Sequence, residues 1–233
     1  MSAARGTRAN RAGDCRIATT HYGDRSMTLA LFGGGPFSAN DDLDRSLLAA
    51  VGATRVAVLP TADAFEDPAA LVAAGMSWAE RLNVDIEALM VLHRQEAEDP
   101  GAAEAIAEAG AVYLVGDSSM HLRSTLKGTA VFRAIVDLLD RGGLVAAVGS
   151  SAAALCDPML DQRGGAFTLG LGLASDVAVI PEAETWTPER LHRTLSLANT
   201  PLIELPTGSA AVLGPTGWSL SDGAVAHGDL PLA

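Results

Sequence analysis

Short apolar runs alternate with longer stretches of helical periodicity over the first two thirds of the chain. "TLALFGGG" (Thr28–Gly35) is a continuous apolar run closed by glycines, the pattern of a strand buried on both faces. A helix is predicted at about Leu43–Val51, a second strand at "RVAVLPTA" (Arg55–Ala62) and a helix over Pro68–Leu82. A third strand follows at "IEALMVL" (Ile86–Leu92), then a short helix at Ala102–Ala109 with Pro100 near its start. "AVYLV" (Ala111–Val115) reads as the fourth strand, Met120–Leu139 as a helix and "LVAAV" (Leu144–Val148) as the fifth strand. Repeated β-α units predict an α/β fold of three layers, with a mostly parallel sheet and helices on both faces.

After Asp157 the texture changes to short strands punctuated by glycine. These are expected at Gly164–Leu173, Asp176–Ile180, Pro201–Pro206, Ala210–Gly214 and Trp218–Gly228. One helix interrupts them at "TPERLHRTLSLA", with Thr187 as N-cap and Pro188 in its first turn. These strands predict an antiparallel C-terminal extension of the sheet. In such sheets, ligands bind outside the carboxyl ends of the strands. Gly33–Gly35, Pro60–Asp63, His93–Glu96, Gly116–Ser119 and Gly149–Ser151 are therefore expected to share one rim.

Composition narrows the function classes. The chain has 233 residues, is 48% hydrophobic and 19% charged, and has a formal net charge of −12. A sizeable core is expected, and the negative charge argues against nucleic acid. No apolar run approaches the roughly 18–20 residues that span a bilayer, so no membrane association is expected. Residues 1–26 differ, with Arg5, Arg8, Arg11, Arg16 and Arg25 against Asp14 and Asp24. They read as a disordered basic extension, and residues 27–233 as a single domain. Two cysteines, Cys15 and Cys156, give no disulfide framework, and a cytoplasmic location is the expectation.

The candidate chemistry centres on "LVAAVGSSAAALCDPM" (Leu144–Met159), which reads as a strand, a tight turn and a helix. Ser151 stands where a nucleophile elbow would carry its serine, with small residues two positions away on each side, Gly149 and Ala153. The plainer alternative is an ordinary turn in which Ser150 or Ser151 caps the helix. The glycines of "FGGGPF" lack a following Gly-Lys-Ser/Thr, and Pro36 interrupts the expected helix, so they are a weak nucleotide signal. Of the five histidines, His93 and His121 lie close enough to the rim to serve as a base. No His or Cys spacing suggests zinc.

Taken together, the motifs resemble the peptidase E and cyanophycinase family of serine peptidases, from about Leu29 to Gly228. "LFGGG", "RVAVLPTA", "LHRQEAEDP", "YLVGDSSMHLRSTLKGT", "VAAVGSSAAALCDPM" and "GLGL" follow the order of the family's motifs. The resemblance implies a class I glutamine amidotransferase-like architecture, no cofactor and cleavage of small acidic, aspartyl peptides. It assigns Ser151 as nucleophile. Gly116, Asp117, Ser118 and the Ala152 N–H become the oxyanion or substrate-binding group, with Gly34 and Gly35 beside them. A small peptide or amino-acid-like ligand is the expected partner, and a homodimer the expected assembly. Arg94, Arg123 and Arg163 are candidates for holding a substrate carboxylate.

The departures define a second hypothesis. Asp117 replaces a glycine in the oxyanion loop, Ser118 replaces Asp or Asn, and Ala153 replaces the elbow glycine. The family's histidine has no counterpart in "VAVIPEAETWTPERL", where only Glu182 and Glu184 offer a base. The alternative is thus a non-catalytic member that uses the same pocket for ligand or partner binding.

Overall fold

A strand buried on both faces needs helices above and below it, and the chain supplies them in alternation. The computed structural model describes residues 27–233. It begins with β1 (Thr28–Phe32), α1 (Asp41–Ala50), β2 (Arg55–Leu59), α2 (Pro68–Leu82) and β3 (Asp85–Ala88). Then come α3 (Arg94–Ala97), α4 (Pro100–Glu108), β4 (Ala111–Leu114), α5 (Ser119–Leu126), α6 (Ala130–Asp140), β5 (Leu144–Val148) and α7 (Ser150–Leu155). The last third contains β6 (Cys156–Asp157), β7 (Met159–Asp161), β8 (Ala166–Thr168), β9 (Ala174–Ser175) and β10 (Ala178–Pro181). It closes with α8 (Pro188–Leu197), β11 (Leu202–Leu205), β12 (Ala210–Gly214), β13 (Gly217–Leu220) and β14 (Val225–His227).

The central sheet has the order β13-β12-β1-β5-β4-β2-β3. The five strands from β1 to β3 in that order are parallel, and β12 and β13 extend the sheet antiparallel beside β1. One face is covered by α4, α5, α6 and α7, through Ile106, Leu122, Leu126, Ile135, Leu138 and Leu155. The other is covered by α1 and α2, through Leu47, Leu48, Trp78 and Leu82. Helix α2 shows why its ends lie where they do. Asp67 accepts from the Ala70 N–H at 3.0 Å, Pro68 opens the first turn, and Asn83 stops the helix in the left-handed conformation. A smaller sheet, β10-β11-β14, stands beside the large one.

Two predicted elements divide. The helix expected over Met120–Leu139 breaks between α5 and α6, where Gly128 takes φ 76° and Thr129 caps α6 by accepting from the Phe132 N–H. The strand expected over Trp218–Gly228 becomes β13 and β14, which join different sheets around Gly223 at φ 88°. Of Gly164–Leu173, only β8 is strand. Among the described residues, no helix is long and apolar enough to cross a membrane. The basic segment 1–26 lies outside the described residues.

One carboxylate sits within the α1–α2 layer. Asp44 is 4% exposed and accepts from Trp78 Nε1 at 3.0 Å and from the Tyr113 hydroxyl at 2.8 Å. Burial pushes its carboxyl up to about 6, outweighing the two donated hydrogen bonds. A raised folded pKa stabilises the fold fully below the unfolded value near 4. That contribution, about 3 kcal/mol, is lost as pH rises through 6. Urea unfolding at pH 4.5 and 7.5 should therefore show Asp44→Asn gaining stability relative to wild type at the higher pH. A wild type–variant difference that does not change with pH would contradict this assignment.

Candidate active site

Strand β5 lies between β1 and β4, so the turn that follows it occupies the middle of the carboxyl rim. The chain reverses at Gly149, with φ 63° and ψ −132°, and α7 begins at Ser150. The Gly149 N–H donates to the Phe32 carbonyl at 3.0 Å, which fixes the turn to the end of β1. Its carbonyl accepts from the Ala152 N–H at 2.9 Å. The Ala152 amide, expected to be a free oxyanion donor, is thus already engaged within the turn.

Ser151 is fully buried, and its Oγ donates to the Gly116 carbonyl at 3.1 Å. The hydroxyl ties α7 to the loop after β4. Ser150 Oγ donates to Gln162 Oε1. Cys156 is also buried in this layer, and burial pushes its thiol up to about 12.

The loop after β4 packs against the end of β2. Gly116 takes φ 113°, and a β-carbon there would lie 2.5 Å from the Asp63 nitrogen. Only glycine fits, for both conformation and space. Asp117 follows at the surface. Partial burial of its carboxyl, with Asp63 and Glu66 nearby, holds its pKa above the usual carboxylate range. Ser118 is used locally. Its N–H donates to the Ala62 carbonyl, and its hydroxyl accepts from the His121 N–H at 3.3 Å, capping α5.

On the β1 side, Glu182 follows β10 with φ 50°, and its N–H donates to the Gly33 carbonyl at 3.0 Å. Its side chain lies over Gly34, where a β-carbon would come within 2.9 Å of Glu182 Cγ and of Thr207 Oγ1. Gly35, at φ 65°, turns the chain away from the rim. Burial, then Asp117 and Glu184, raise the Glu182 pKa. Glu184 behaves differently. Burial pushes it up, but hydrogen bonds from Thr207, whose N–H lies 3.2 and 3.1 Å from the two carboxylate oxygens, outweigh this and hold it low.

The two candidate histidines group around Phe65. His121 packs edge-on against Phe65 with ring centroids 4.7 Å apart, and its centroid lies 6.3 Å from that of His93. His121 Nε2 lies 2.8 Å from the Leu92 carbonyl and 3.3 Å from Thr125 Oγ1. Among the described residues, no imidazole hydrogen-bonds to Ser151. Two of the candidate arginines are committed elsewhere, Arg94 to the Ser124 and Lys127 carbonyls and Arg163 to Asp161. Arg123 has a buried Nε without a partner. The sequence pattern does not mark Phe65, which is 73% exposed at the rim beside Asp117. The signal that marks Gly149 in the sequence is the pair of small residues around it, Ala147 and Ser151.

The family model described as peptidase family S51 matches residues 29–159. The chain belongs to peptidase family S51. The matched span holds the five parallel strands, the loop at Gly116 and the turn at Gly149, and ends before Glu182. A solved peptidase from an acI-B1 Actinobacterium is 25% identical, covering 88% of this chain and 91% of its own, with a TM-score of 0.77. A putative peptidase E protein from Listeria monocytogenes EGD-e is 16% identical, covering 86% and 98%, with a TM-score of 0.63. None of the curated proteins matches the chain. Family S51 membership and the 25%-identical peptidase support a peptidase-type hydrolase, and the Listeria structure supports the fold.

Ser151→Ala is expected to lower stability by about 1–2 kcal/mol, because the Gly116 carbonyl loses its donor in a buried place. Urea denaturation measures this, and an unchanged midpoint would count against the tie.

Proposed function

We propose that this S51 member uses the rim around Gly149 to bind a small peptide or amino-acid-like ligand, without Ser151-dependent acyl transfer. The observation that carries the proposal is the state of Ser151, fully buried with its hydroxyl donated to a backbone carbonyl. A serine nucleophile needs a base within hydrogen-bond reach and a path to the substrate carbonyl. A backbone carbonyl accepts a hydrogen bond but does not take the proton away. General-base assistance contributes roughly 10²–10⁴ in rate, so a serine without it is a poor nucleophile. Asp117 adds a second obstacle, since a carboxylate beside the oxyanion position opposes the negative charge that develops there.

The same carboxylates bear on the ligand. Among the described residues, none of Asp63, Asp117 and Glu182 forms a salt bridge with Lys or Arg. An aspartyl side chain would meet like charge at this rim, whereas a ligand amine would be welcome. The competing proposal, hydrolysis of aspartyl peptides through Ser151, is supported by the family resemblance.

A fluorophosphonate probe and aspartyl dipeptides, applied to wild type and Ser151→Ala, separate the two. The expected result is no Ser151-dependent labelling and no turnover. Labelling or hydrolysis abolished by Ser151→Ala would overturn the proposal. Binding is read separately as a rise in melting temperature with a panel of acidic, neutral and basic dipeptides. No shift with any of them would remove the binding half of the proposal.

A further inference from the structure

The turn after β5 has one residue whose β-carbon would point into unfilled space, although its backbone is buried, and it is not a serine. We infer that Gly149, rather than Ser151, holds the position from which this elbow presents a side chain to the cleft. The nucleophile's address is therefore occupied by a residue with no side chain. This deepens the binding proposal and rests on it for the use of the cleft.

Three observations converge. In a nucleophile elbow the presenting residue sits on the sharp, strained reversal between strand and helix. Across Gly149–Ser151, only Gly149 has that backbone, at φ 63° and ψ −132°, while Ser150 and Ser151 already belong to α7. Second, a β-carbon built at Gly149 meets nothing within 4 Å, so a side chain there would extend into open space. Ser151, by contrast, is completely enclosed. Third, an elbow needs small residues two positions before and after its apex, because strand and helix pass closely. Centred on Gly149, those positions are Ala147 and Ser151, and both are 0% exposed. Ser151 thus fits the close-packed position of an elbow and does not fit its apex.

The assignment also explains the surroundings. Position 149 lies between the Gly33–Gly34 loop, over which Glu182 is folded, and the Gly116–Asp117 loop. With no side chain at the apex, a ligand group can descend to the backbone between these loops. A residue of any size at 149 would occupy that space, so Gly149 determines what the cleft admits.

Thiol accessibility tests the assignment without any ligand. In a Cys15→Ser background, Gly149→Cys and Ser151→Cys are each treated with iodoacetamide under native conditions. Cys156 serves as the internal control, since it is fully buried and its thiol is raised to about 12. The expected result is alkylation of Gly149→Cys at least about 100-fold faster than of Ser151→Cys, whose thiol reacts only when the protein opens. Equal protection of the two thiols, or faster reaction of Ser151→Cys, would overturn the inference. If Gly149→Cys does not fold, Gly149→Ala and Gly149→Asn decide. Unfilled space beyond the β-carbon predicts a melting temperature for Asn equal to or above that for Ala, because Asn tolerates positive φ better. A much lower value for Asn means that the site is closed and the inference fails. Absence of dipeptide binding would overturn the binding proposal alone, because alkylation does not depend on a ligand.

Discussion

Backbone pressed directly against backbone is the constraint on which the rim depends. A β-carbon at Gly33 would lie 2.1 Å from the Pro206 carbonyl oxygen, and one at Gly116 would lie 2.5 Å from the Asp63 nitrogen. The Gly149 N–H reaches the Phe32 carbonyl at the same level. These contacts join the ends of β1, β2, β4, β5 and β11 into a single floor. The positions of Asp117, Glu182 and the buried Ser151 hydroxyl follow from them. Such contacts exist only where side chains are absent, which is why glycine recurs at the strand ends.

The layer architecture is legible because the apolar periodicity of buried parallel strands is strong and the chain alternates them with helices. Boundaries set by a single residue are less legible. Gly128 and Thr129 divide a continuous apolar pattern because one takes positive φ and the other caps a new helix. The apex of the turn after β5 lies two positions earlier than its sequence pattern predicts, for a related reason. Residues 146–154 include only Ala, Val, Gly and Ser, so size alone gives no register. Backbone dihedrals supply it. The pattern places His93 on the right edge of the sheet but not at the right lateral distance, and the His121 ring is engaged with the Leu92 carbonyl and Thr125. His93 follows β3, three strand positions from β5 in the sheet order, or about 14 Å at normal strand spacing. Strand order is not contained in hydrophobic periodicity.

The carboxylates of this protein divide by whether they are satisfied. Asp44 lies in the core and receives two donors, from Trp78 and Tyr113, so its burial serves the packing of α1 on α2. Glu184 receives the Thr207 amide. Asp117 and Glu182 are held near one another at the cleft, each raised by burial and by neighbouring acids. Burial and like charge at these two groups oppose their ionisation, so they do not contribute to stability as Asp44 and Glu184 do through their hydrogen bonds.

The conformation of Gly149 has a thermodynamic corollary. A residue with a side chain at such a backbone conformation stores on the order of 1–3 kcal/mol of strain, which a catalytic turn retains because function requires it. Glycine adopts the same geometry almost without penalty. This chain therefore keeps the outline of a strained turn in a relaxed state, and the fold is more stable for it. Placing a side chain at position 149 would be energetically uphill, because its φ of 63° strains any residue but glycine. The geometry of the turn thus costs this chain little, and the space beside its apex stays unfilled.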